Sequence, residues 1–179
     1  MLTHHRKPVC LSFVSTDLPI WSVVEAAATL YQKDQERFHL LLTEPMIQDQ
    51  AIAVESADAP ASSLGTPGHL GTPGHEMLPP TPAPRLLWLE ISPYRVIMTM
   101  QGNGRFSYRH FWEQGVYGMS RYWLQSDLLS GSGQMRLRNF TRSLKLEGKA
   151  LPHHLRIEYE LWSEKVQLGA YVLNLEIEP

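Results

Sequence analysis

From Leu86 to Pro179 apolar and polar side chains take turns along the chain. Leu155, Ile157, Tyr159 and Leu161 alternate with His154, Arg156, Glu158 and Glu160, and Tyr171, Leu173, Leu175 and Ile177 alternate with Val172, Asn174, Glu176 and Glu178. Met135 and Leu137 stand between Gln134, Arg136 and Arg138, and Arg105 to His110 keeps the same rhythm with aromatic rings. A period of two puts successive side chains on opposite faces of a strand, whereas a helix needs apolar positions three and four apart. At least six short strands are predicted, each with one oily and one polar face.

Turn formers separate them at short intervals: Ser92-Pro93, Gly102-Asn103-Gly104, Gln114-Gly115, Gly131-Ser132-Gly133, Glu147-Gly148 and Ser163-Glu164-Lys165. Glycine and asparagine tolerate the positive φ of tight hairpins. Connections this short make neighbours antiparallel, because a parallel crossover takes a dozen residues or more. The expectation is an all-β, antiparallel, up-and-down meander. With one oily face it must meet a second sheet or roll into a barrel, and closure also removes exposed edges.

The first part of the chain adds three elements. Met1 to Thr16 reads as a strand with Val9, Leu11 and Phe13 on one face, ended by Thr16-Asp17-Leu18-Pro19. Trp21 to Tyr31 alternates at Val24, Ala26, Ala28 and Leu30, although its alanines also favour helix. The hairpin signal Gln32-Lys33-Asp34-Gln35 and the returning run from Arg37 to Thr43 decide for a strand. Between Met46 and Pro84 the composition turns to Ala, Pro, Gly and Ser, and Leu64-Gly65-Thr66-Pro67-Gly68-His69 is repeated at once as Leu70 to His75. Two copies are too few for a solenoid. Residues 46–84 are expected to be a disordered, low-complexity insertion between strands of a single domain spanning 1–179.

Charge and cysteine narrow the setting. The net charge of −2 conceals an asymmetry, with ten Lys/Arg against four Asp/Glu between Arg85 and Lys149. Cys10 is the sole cysteine, which excludes an internal disulfide, and its neighbours Val9 and Leu11 suggest a core or near-core side chain. No apolar run approaches the roughly 20 residues of a membrane helix. A cytoplasmic protein without membrane contact is expected.

Sequence motifs for chemistry are sparse. The doublets His4-His5 and His153-His154 would point their rings to opposite faces of a strand, a poor start for a metal site. No GxSxG elbow is present, and Gly102-Asn103-Gly104 joins strand to strand, so it offers no helix N-terminus to a phosphate. Glu158 and Glu160 share the charged face of a strand, where solvent accounts for them. No cofactor, metal or catalytic residue is assigned.

The element order resembles the uncharacterised YwiB-like bacterial family, whose fold is a calycin-type (lipocalin-like) β-barrel. The residues that carry the resemblance are Leu30-Tyr31-Gln32-Lys33, Phe38 to Glu44, Val96 to Gly102, Leu155 to Leu161 and the final run from Gly169 to Glu178. It spans most of the chain outside residues 46–84. What it implies is a closed or nearly closed antiparallel barrel of about eight or more strands, with no activity attached.

The leading expectation is a binding protein for a small apolar or amphipathic ligand. Phe106, Tyr108, His110, Trp112, Tyr122 and Tyr159 would supply the walls and the polar contacts. The runner-up is an RNA-binding or protein-interaction surface on the exterior arginines Arg105, Arg109, Arg136 and Arg138, which are interleaved with aromatic rings. A third reading is an enzyme of unrecognised type using His110.

Overall fold

The computed structural model describes residues 3–44, 85–102, 106–124 and 133–179. They form ten strands: β1 (Thr3–Ser15), β2 (Trp21–Gln32), β3 (Phe38–Glu44), β4 (Arg85–Ile91), β5 (Arg95–Gln101), β6 (Phe106–Glu113), β7 (Tyr117–Leu124), β8 (Gly133–Glu147), β9 (His154–Ser163) and β10 (Val166–Ile177). Every neighbour in sequence is an antiparallel neighbour in space, and β1 also pairs with β10, so the sheet closes into a barrel. The alanine-rich stretch of β2 is strand, because its register with β1 and β3 places Ala28 and Leu30 among buried groups. The insertion expected at 46–84 and the turn residues 103–104 and 131–132 lie outside the described residues. On either side of that insertion β3 and β4 pair from Phe38 opposite Ile91 to Glu44 opposite Arg85.

The alternation sorts side chains as expected. Leu40, Leu89, Val96, Ile157 and Leu175 are fully buried in the interior, while the intervening positions face out. Two outward positions depart from the sequence reading. Cys10 falls on the outer face between Glu25 and Glu176 in register, not in the core, since it is one residue out of phase with Val9 and Leu11. Partial burial, then those two carboxylates, push its thiol pKa up. Glu160 also faces outward, yet it is only 5% exposed. The Arg142 guanidinium pairs with one of its oxygens and the Trp162 indole N–H donates to the other at 3.0 Å, so the carboxylate is covered and matched instead of solvated.

Gly118 in β7 marks the tightest point of the wall. A Cβ there would strike the Phe111 carbonyl of β6 and would approach the Asn139 side-chain oxygen to 2.7 Å. Gly118→Ala is therefore expected to cost about 2–3 kcal/mol and to lower the urea midpoint by roughly 1 M. Gly133→Ala, whose added carbon meets only the Leu124 carbonyl at 3.8 Å, should leave it nearly unchanged. Equal midpoints for the two variants would show that the strands have room to part.

Candidate ligand cavity in the barrel

Among the described residues the two ends of the interior differ. Val9, Leu30, Phe38, Ile91, Leu155 and Ile177 close the first end. Toward the other, where β1, β7 and β9 finish and β2, β6 and β10 begin, lies a half-open cavity of about 370 Å³. Five of the six residues expected at a ligand site line it: Phe106, Tyr108, His110, Tyr122 and Tyr159. The sixth, Trp112, does not. It is completely buried and stacks beneath His110, with ring centroids 4.9 Å apart and planes within 2° of parallel, so it supports the cavity as a floor beneath the imidazole.

The period-two pattern of β6 explains this grouping, for residues 106, 108, 110 and 112 all turn inward and meet Tyr122 of β7 and Tyr159 of β9. Phe13 and Tyr171, stacked at 5.2 Å, complete the rings, and Tyr171 lies 5.6 Å from Tyr159. The aliphatic remainder includes Leu11, Val24, Leu87, Met98 and Leu173. Among the described residues no charged side chain lines the cavity.

Polar groups inside are few and neutral. Burial pushes the His110 pKa down to about 3, so the ring is uncharged near neutral pH. Its Nδ1 lies 2.8 Å from the Ser120 hydroxyl, which accepts an N–H from Asn139 at 2.8 Å. Ser120 has one proton to give, and a neutral imidazole that receives it on Nδ1 carries its own proton on Nε2. Desolvation raises the Tyr159 pKa well above the usual phenol value, with the neighbouring phenols of Tyr122, Tyr171 and Tyr108 adding to it. The same cause takes Tyr122 to about 12. All stay protonated donors.

Ser120 and Asn139 did not stand out in the sequence. The signal was there only as a polar residue at an inward position: Ser120 opposite His110, and Asn139 between the inward Leu137 and Thr141. The trio does not have the layout of a nucleophile. Asn139 binds the hydroxyl itself, whereas a catalytic triad places its third member on the far nitrogen of the histidine. Asn139 Oδ1, Thr141 Oγ1 and Trp112 Nε1 are buried without a partner among the described residues.

On the outer wall the register sets Arg109 opposite Arg121 and Arg121 opposite Arg136, with Arg138 opposite Met119. Arg105 lies outside the described residues. Arg121, another of the arginines that the sequence interleaves with aromatic rings, occupies the centre of that row. No helix long and apolar enough to cross a membrane occurs among the described residues.

A buried neutral histidine makes stability depend on pH. The unfolded chain protonates His110 near its ordinary pKa of 6.5 and the folded protein only near 3, so between these values the unfolded state holds the extra proton. Stability is complete above pH 6.5 and falls as pH drops, by at most about 1.4 kcal/mol per pH unit from this group. Urea midpoints of the wild type between pH 7 and 5 should show that slope, and His110→Gln should flatten it. An unchanged slope in the variant would mean that the folded protein protonates His110 normally.

No family model matches the chain, and no curated protein does. Among solved structures it is similar to the ywiB protein of Bacillus subtilis, with a TM-score of 0.55 over 99% of this chain and 96% of that one, at 12% sequence identity. At so low an identity the likeness is one of fold, a closed β-barrel.

Proposed function

We propose that the barrel is a binding protein for a small, uncharged, apolar or amphipathic ligand held in its interior. The observation that carries this reading is the ring-lined cavity of about 370 Å³, within the range of pockets that take small molecules. Among the described residues the pocket wall carries no charge, which argues for a neutral occupant, since an ion there would be desolvated without a counter-charge. The phenols and imidazole would serve a carbonyl, ether or hydroxyl oxygen on an otherwise oily molecule. Kinship with the calycin barrels belongs to the same proposal, as does a cytoplasmic location, for which the lone cysteine is the support.

Nile red, a neutral dye that brightens in apolar surroundings, is the probe. Wild-type protein should bind it with a blue-shifted emission, and Val24→Trp, which extends a ring into the cavity, should weaken binding at least tenfold while the far-UV circular dichroism is preserved. Native mass spectrometry of protein purified from its own host should show an added small-molecule mass that the same variant loses. Dye binding unaffected by Val24→Trp would sink the proposal, and so would the lack of both dye binding and added mass.

A further inference from the structure

The outer wall of β6, β7 and β8 carries an arrangement that the interior site does not use. Arg109, Arg121 and Arg136 face one another across successive strands, and strands about 4.8 Å apart put the three guanidinium groups within roughly 10 Å. All three are exposed, and among the described residues no carboxylate lies within 4 Å of any of them. Arg136 is held by the Gln134 carbonyl oxygen at 2.9 and 3.2 Å, and Arg138 lies over the ring of Tyr117 at 4.4 Å. Like charges directly opposite each other on a sheet destabilise it. The fold bears that cost twice in one row without a counter-ion among the described residues.

Rings flank the row on both sides. Trp123 occupies the next register row, between Ser107 and Gln134, and on the other side stand Phe111 and Tyr117, the latter 56% exposed. A hollow of about 550 Å³ is lined by Phe111, Tyr117, Met119, Arg109, Arg121 and Arg138. Acidic side chains are kept to the border: Glu113 stands opposite Arg95, and Glu160 is neutralised by Arg142. A complementary ligand carries closely spaced negative charges and flat apolar faces between them. Acidic peptides supply the charges without the flat faces. Single-stranded nucleic acid supplies both, phosphates for the guanidinium groups and bases for the rings.

We propose that the outer face of β6–β8 binds single-stranded nucleic acid, with Arg109, Arg121, Arg136 and Arg138 on phosphates and Tyr117 and Trp123 as stacking platforms. Fluorescence anisotropy with a labelled, mixed-sequence strand of roughly 12 nucleotides tests it, because that length covers one such site. The logarithm of the binding constant should fall against the logarithm of salt concentration with a slope of roughly −2 to −3, for three or four phosphates. Arg121→Glu turns two repulsive pairs into attractive ones, so it should raise Tm by about 1–4 °C while weakening the strand at least tenfold. Tyr117→Ala should cost roughly five- to a hundredfold in affinity. The proposal is overturned by lack of binding at low salt, by polyglutamate binding as tightly as the strand, by undiminished binding in folded Arg121→Glu, or by undiminished binding in Tyr117→Ala.

Discussion

Everything in this protein depends on closure combined with a two-residue repeat. Once β1 is hydrogen-bonded to both β2 and β10, the sheet has an inside and an outside all the way round, and each position's parity decides which it faces. A shift of one residue in any pair would exchange the two sets. The register is held by the cost of that exchange: on β9 alone it would turn Leu155, Ile157, Tyr159 and Leu161 out to water and carry Arg156 and Glu158 into the core. The two places where the register slips, beside Arg142 in β8 and beside Leu168 in β10, are both met by β9. The extra residue at Arg142 brings its guanidinium to Glu160, which lets a carboxylate survive almost without solvent.

The barrel uses its interior in two ways. At one end aliphatic side chains and Phe38 are packed out of solvent. At the other, six rings and an imidazole cannot interdigitate so closely, and space is left among them. The polar atoms admitted there are kept electrically neutral. Ser120 meets both the His110 Nδ1 and an N–H of Asn139, so one small hydroxyl holds the ring upright over Trp112. The oxygen of Asn139 fits because its neighbour Gly118 has no side chain.

Much of this architecture could be read from the residues, and the exceptions have physical causes. Alternation, turn residues and short connections were enough for an antiparallel barrel, since each rests on local geometry. The inward set of β6 was legible for the same reason, and it placed His110 among aromatic rings. Parity was neglected at Cys10, where oily neighbours were taken for a shared environment although adjacent residues in a strand do not share one. Glu160 escaped because its burial depends on the register slip that brings Arg142 over it, where the inward set of β8 changes phase between Thr141 and Leu144. Trp112 was placed on the correct face but not at the correct depth, for depth is set by where each strand enters the barrel. The place of Arg121 at the centre of the outer row was not legible, because direct opposition across strands becomes visible only when the register is known.

The seam between β1 and β10 has a consequence for how the chain is made. Its seven paired positions, Val9 with Ile177 through Ser15 with Tyr171, join residues separated by most of the chain. During synthesis β1 and β2 can pair with each other early, but β1 then offers an open edge until the last strand leaves the ribosome. Contacts so distant also make the search for the native arrangement slow. For that interval the nascent protein is an unclosed ribbon, and whatever shields the free side of β1 from other chains governs how much of it matures.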